Sequence, residues 1–261
     1  MIELNKIYNM DCFDFLKEVK TGSVDLVLID PPYEVSRDTN FAKGDKKGTD
    51  VDRFRVSMDF GEWDKDFTGL DMVIKDCYRI LRKGGTLICF YDLWKITNLK
   101  DFFEQGKFKQ IRFIEWLKTN PVPINSNINY LTNSREIALL GIKDSKPTFN
   151  SKYDNGVYEY PDDEIYQNPN HGIYRYPICH DKGRFHPTQK PVKLIEELVL
   201  KHSDEGDIVL DCFIGSGTTA IACINTNRQF LGCELDPTYY AIAEERIKKA
   251  KQNKLLKILE V

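Results

Sequence analysis

The sequence predicts an α/β fold, a doubly wound and mainly parallel sheet with helices on both faces. Three observations lead there. Short apolar runs rich in β-branched residues alternate with amphipathic helical stretches from both ends of the chain. The run Leu26 to Ile29 is apolar at every position, as in a strand covered on both faces. Near the C-terminus a glycine-rich turn joins a strand to a helix, the junction at which such sheets hold ligands.

In chain order, Val24 to Ile29 reads as a strand and Gly69 to Leu81 as a helix. Gly84 to Tyr91 reads as a strand after a glycine stop. A helix is expected over Leu93 to Glu104, then strands over Phe108 to Lys118 and Arg135 to Ile142. Towards the C-terminus, Val192 to His202 has helical spacing, Asp207 to Phe213 is a strand, Thr218 to Asn225 a helix and Gln229 to Leu235 a strand. Pro237 opens a last helix at its first turn. Two segments break the alternation: Glu34 to Phe67, polar with scattered aromatics, and Lys143 to Arg184, rich in Pro, Asn, Gly, Tyr and Asp. Aperiodic stretches of this length inside a domain are usually functional, so both read as insertions rising from one rim of a single sheet.

With 261 residues, 41% apolar and 30% charged, the chain can bury a large core as one domain with insertions. The opening MIELNKIYNMDC lacks the basic start and apolar run of a secretory signal, and no apolar run reaches bilayer length. Seven scattered cysteines without a C-x-x-C pair read as reduced, buried thiols of a cytoplasmic protein. Cys179, His180 and His186 lie close in sequence but lack a fourth ligand, so no metal is expected. A net charge of −3 argues against bulk electrostatic binding to nucleic acid. Local basic runs remain: Arg175, Lys182, Arg184, Lys190 and Lys193 against Asp181, and six basic against four acidic residues from Arg37 to Arg55, with Phe41 and Phe54 between them.

Two stretches carry chemistry. In LVLIDPPY the carboxylate of Asp30 arrives at the end of an apolar strand, and Pro31 and Pro32 hold the adjoining Tyr33 rigidly at the sheet's rim. In VLDCFIGSGTTAIAC, Gly215 and Gly217 let the backbone approach a ligand at a helix start. Seventeen residues beyond Gly217 lies Glu234, placed to take ribose hydroxyls. The pattern admits a nicotinamide or flavin enzyme and an S-adenosylmethionine enzyme. Asp211, just before the loop, would repel a pyrophosphate but suits a cofactor with an amino group and a sulfonium charge, which favours the second.

Three blocks then coincide: DPPY at Asp30 to Tyr33, HPTQKPVKLIEELV at His186 to Val199, and DCFIGSGTT at Asp211 to Thr219. Together, over about Asn5 to Ile247, they resemble the beta class of DNA amino-methyltransferases, whose acid-Pro-Pro-Tyr block precedes the specificity region and whose cofactor loop comes last. RNA guanine and protein glutamine methyltransferases share the block, but there the glycine loop usually lies upstream. The resemblance implies a circularly permuted, Rossmann-like methyltransferase sheet. Residues 1–142 and 186–261 would be the catalytic domain, 143–185 a target-recognition insertion, and 34–67 a mobile DNA-contacting loop.

The activity it implies is methyl transfer from S-adenosylmethionine to the N6 amine of an adenine flipped from duplex DNA. Asp30, Pro31, Pro32 and Tyr33 would be catalytic. Cofactor contacts would come from Asp11, Asp30, Thr188, Lys190, Asp211, Phe213, Gly215, Ser216, Gly217, Thr218 and Glu234, with Thr188 and Lys190 beside the methionine carboxylate. Arg37, Lys46, Lys47, Arg53 and Arg55 would clamp the target strand; Arg175, Lys182 and Arg184 would contact phosphates. Cytosine N4 is the alternative target, since Asp at the first position goes more often with adenine and Ser with cytosine. From other classes, a nicotinamide oxidoreductase and a non-catalytic nucleic-acid binder also stand as rivals. Double-stranded DNA, a second copy of the chain and a cognate restriction endonuclease are the implied partners; no membrane is.

Overall fold

The computed structural model describes residues 2–33, 67–121, 134–151, 173–179 and 189–259. In chain order its elements are β1 (Lys6–Asn9), α1 (Cys12–Glu18), β2 (Val24–Ile29), α2 (Leu70–Ile80), β3 (Leu81–Tyr91), a 3-10 turn (Leu93–Lys95) and α3 (Ile96–Gln105). Next come β4 (Lys109–Lys118), β5 (Arg135–Ile142), β6 (Ile173–Tyr176), α4 (Val192–His202), β7 (Ile208–Asp211), α5 (Thr218–Asn225), β8 (Gln229–Glu234) and α6 (Pro237–Leu259).

The strands form one sheet in the order β1-β8-β7-β2-β3-β5-β4-β6. All neighbouring pairs are parallel except those that β5 makes with β3 and β4, so β5 alone runs against the rest. Both faces are covered, and alternate residues of one strand serve them in turn. Leu26 and Leu28 of β2 and Ile88 and Phe90 of β3 join the core beneath α4, α5 and α6, with Leu194, Leu198, Ala220 and Ala243. Val27 and Ile29 of β2 and Leu87 and Cys89 of β3 face the other way, into the core beneath α1, α2 and α3, with Phe15, Leu16, Ile74 and Phe103. This is why β2 is apolar from Leu26 to Ile29 instead of alternating: that stretch has no wet side.

The helices reflect their apolar spacing. α2 buries Leu70, Val73, Ile74, Cys77 and Ile80, a single stripe at helical period, and starts at Gly69, whose φ of 93° suits a residue without Cβ. Of the expected elements, α4 and α5 have the predicted bounds, and all seven cysteines are free, six of them buried.

Three features differ from the sequence reading. Gly84 does not end a helix: α2 has already stopped at Ile80, and β3 runs from Leu81 through both glycines with an irregularity, since Val24 pairs with Leu81 but Leu26 with Thr86. The helix expected over Leu93 to Glu104 begins as a 3-10 turn, because Asp92 accepts the Trp94 amide at 3.0 Å and fixes a tighter start. Finally, the aperiodic tract after Lys143 holds an edge strand of the same sheet. β6 pairs parallel with β4, Trp116 opposite Tyr174, and the Trp116 Nε1–H donates to the Tyr176 carbonyl at 2.8 Å. Neither β6 nor β1 has more than four residues, too few for periodicity to announce them.

Candidate active site

The strand order reverses between β7 and β2, and at that switch point the carboxyl tips of neighbouring parallel strands leave a crevice. Val27 is in register with Leu210, so Asp30, just beyond β2, and Asp211, the last residue of β7, emerge on the same rim. Asp211 is in turn opposite Gly232, and Asn9 opposite Glu234. Residues distant in sequence thus meet at one edge.

On the β7 side the turn 212–217 is held from below by carboxylates. Asp211 accepts the Phe213 amide at 3.0 Å and the Thr219 hydroxyl at 2.6 Å. Glu234 accepts the Gly215 amide at 2.9 Å and the Asp236 amide at 2.9 Å, while Asn9 donates to its backbone carbonyl at 2.8 Å. Gly215 and Gly217 have φ of 53° and 85°, the second at the N-cap of α5. Asp11 caps α1 by accepting the Phe13 amide at 2.7 Å. The Phe67 ring meets Phe213 edge-on at 5.3 Å and stacks with Phe13 at 6.3 Å, giving this side an apolar wall.

The donors to these three acids are neutral amides and a hydroxyl, while the Arg246 guanidinium donates to the Ser216 carbonyl and hydroxyl of the same turn. Burial pushes the Asp211 carboxyl up to about 7, against the lowering effect of its bonds to Thr219 and Phe213. Glu234 is likewise raised by burial. Such a site suits a ligand that brings positive charge and hydroxyl donors; a pyrophosphate would be repelled.

On the β2 side, Tyr33 Oη–H and Lys190 Nζ both donate to the Asp30 carboxylate, one to each oxygen. Lys190 also pairs with Glu136 of β5 at 3.1 Å, and Glu136 with Lys118 of β4 at 2.8 Å. Acids and bases therefore alternate along one chain, buried at Lys190 and half-buried at the other three. Burial lowers the Lys190 ammonium, but the two carboxylates more than offset it and leave it above its ordinary value. Burial raises Glu136, and two lysines outweigh that. Asp30, sharing one lysine, stays raised by burial. The Tyr33 ring lies edge-on to Tyr91 at 5.6 Å, and Lys95 Nζ donates to the Tyr33 carbonyl at 2.9 Å. Arranged so, the crevice can accept N–H donors at a carboxylate whose basicity is increased, beside a ring that stays protonated.

The family model described as DNA methylase, for N6 and N4 methylation, matches residues 24–245. The chain belongs to this family. Among curated DNA methylases it is 31% identical over 247 residues to the type II methyltransferase M2.DpnII of Streptococcus pneumoniae, covering 92% of this chain and 88% of that protein. It is 30% identical over 272 residues to the type II methyltransferase M.HinfI of Haemophilus influenzae, covering 96% of this chain and 70% of that one. Its fold is similar to that of M1.HpyAVI in complex with SAM, with a TM-score of 0.65 at 28% identity over 93% of this chain and 98% of that one. The cytosine-N4-specific PvuII DNA methyltransferase shares the fold, with a TM-score of 0.64 at 15% identity over 98% of this chain and 94% of that one. A DNA amino-methyltransferase with a Rossmann-like sheet, dependent on S-adenosylmethionine, is therefore what this chain encodes.

Within that DNA methylase frame, the structure brings together Asp11, Asp30, Pro31, Pro32, Tyr33, Asp211, Phe213, Gly215, Ser216, Gly217, Thr218 and Glu234 along one rim. Lys190, expected beside a cofactor carboxylate, donates to Asp30 in the same crevice. Arg175 lies exposed on the edge strand β6. Thr188, Arg37, Lys46, Lys47, Arg53, Arg55, Lys182 and Arg184 lie outside the described residues, as does most of both predicted insertions.

Sequence reasoning missed Glu136, Lys118, Thr219, Phe67 and Gln189, which accepts the Ser216 hydroxyl at 3.1 Å. Thr219 had a visible signal, the second hydroxyl of GTT one helical step past the loop. The two charged strand residues had none, because a polar position in a half-buried strand ordinarily means solvent.

Proposed function

We propose that the chain methylates the exocyclic N6 amine of adenine in double-stranded DNA, with Asp30 as the group that receives the amine. The observation that carries this is the placement of Asp30: a carboxylate at the switch point, one strand from the loop 212–217 and fixed by two prolines. A carboxylate in the place where serine goes with cytosine N4 favours adenine. Bound S-adenosylmethionine supplies an electrophilic methyl group on a sulfonium. The acids Asp211 and Glu234 would hold its charged and hydroxylated parts, and Phe13, Phe67 and Phe213 would flank its base.

An exocyclic amine is a poor nucleophile because its lone pair is delocalised into the ring. Hydrogen bonds accepted by the Asp30 carboxylate and the Pro31 carbonyl draw the nitrogen towards tetrahedral geometry and aim the lone pair at the methyl group. Positive charge developing on the nitrogen is stabilised by Asp30, which burial has made a better proton acceptor than an ordinary aspartate. The base must leave the duplex, at a cost of about a few kcal/mol. Stacking on Tyr33 offsets roughly 1–3 kcal/mol of it.

Arg175 and the basic residues of both insertions then hold phosphates, and a dimeric state and a companion restriction endonuclease belong to the same reading. The test is methylation sequencing of DNA from cells expressing the chain. N6-methyladenine confined to one short motif is expected; N4-methylcytosine, or unmodified DNA, would overturn the assignment.

A further inference from the structure

Both oxygens of the Asp30 carboxylate are taken, one by the Tyr33 hydroxyl and one by the Lys190 ammonium. An incoming amine needs such a place. Tyr33 is tied three residues along the same rigid turn, whereas Lys190 reaches in from the segment before α4 and touches a second acid, Glu136, at 3.1 Å. Lys190 is only 6% exposed. An ammonium pushed off Asp30 with no other partner would be a buried, unpaired charge, which costs several kcal/mol. Glu136 is built to prevent that. It is fixed on β5 opposite Trp116, and its other oxygen is held by Lys118 at 2.8 Å.

We propose that Glu136 is a positioning residue for methyl transfer: it takes over the Lys190 ammonium when the target amine occupies Lys190's place on Asp30. The inference rests on the base-flipping reading above. Three features support it. The ammonium is a tetrahedral cationic N–H donor, the form that the target nitrogen approaches as its new bond to carbon forms, so the place on Asp30 already fits the reacting group. The rings of Phe90 at 5.0 Å and Tyr33 at 5.8 Å also lie beside Lys190 Nζ and accommodate a cation displaced between the two acids. Finally, Glu136 is ionised by two lysines and so remains a full anion to receive it.

The test uses the purified full chain and a duplex carrying the motif it methylates, with 2-aminopurine next to the target adenine, so that fluorescence rises when the adenine leaves the stack while its N6 amine stays present to be methylated. Glu136→Gln is expected to bind the duplex, lose most of the fluorescence rise and lower kcat roughly tenfold with the KM for S-adenosylmethionine unchanged. Glu136→Asp is expected to restore much of both signals. In a Lys190→Gln background, where no ammonium needs a second seat, adding Glu136→Gln should change either readout by less than about twofold. Equal losses in the two backgrounds, or full fluorescence in Glu136→Gln, would overturn the inference while leaving the methyltransferase reading intact. A wild-type chain that methylates no DNA would overturn both.

Discussion

Asp211 sits with its charge almost wholly out of water, and its raised carboxyl sets a pH dependence of its own. Its ordinary value is 3.8 and its folded value about 7. Between these the folded chain holds a proton that the unfolded chain has lost, so the stability linked to this group is complete below about 3.8 and is lost as pH rises through about 7. Asp211→Asn, which keeps bonds to the Phe213 amide and the Thr219 hydroxyl, is therefore expected to raise the thermal midpoint more at pH 8 than at pH 5. Equal shifts at both would contradict the assignment. A cationic cofactor binds the ionised form, so wild-type affinity for S-adenosylmethionine should weaken as pH falls below about 7. Titration calorimetry across pH 5.5–8.5, an interval bracketing that value by about a unit and a half, reads this directly, and Asp211→Asn should flatten the profile.

Among the elements, the turn 212–217 can lie low over the sheet because β8 yields space beneath it. A Cβ at Gly232 would stand 2.5 Å from Ile214 Cδ1 and 2.9 Å from the Asp211 carbonyl. Gly232→Ala must therefore lift the turn, with an overpacking cost of about 1–3 kcal/mol. The expected outcome is a weakened Kd for S-adenosylmethionine in a chain whose circular dichroism is unchanged; unaltered affinity would mean that the turn does not form the cofactor floor. The same elements show how far a sequence carries. α4 and α5 were legible because their buried stripes run for two turns or more and meet clear breakers, while β1 and β6 are short and borrow their identity from the neighbours they pair with. The glycines at 84 and 85 misled for a physical reason: the same residue type that stops a helix also lets a strand bulge.

For the molecule as a whole, the permuted order of the blocks is harmless because a parallel sheet orders strands by crossover, not by sequence. β7 lies beside β2 although most of the chain separates them. The motif residues of the site were legible, since DPPY and the glycine turn each state their chemistry locally. The Asp30, Lys190, Glu136 and Lys118 chain was not, because it exists only once β4 and β5 pair in a register that sets Glu136 opposite Trp116 and β3 carries β5 to the crevice. In the proposed mechanism a fixed acid and a methyl donor meet at that switch point. Asp30→Ala tests this most directly, by binding of S-adenosylmethionine and mass spectrometry of methylated nucleosides in DNA incubated with the purified chain. Asp30→Ala is expected still to bind S-adenosylmethionine while N6-methyladenine falls at least about a hundredfold; methylation at the wild-type rate would refute the role of Asp30.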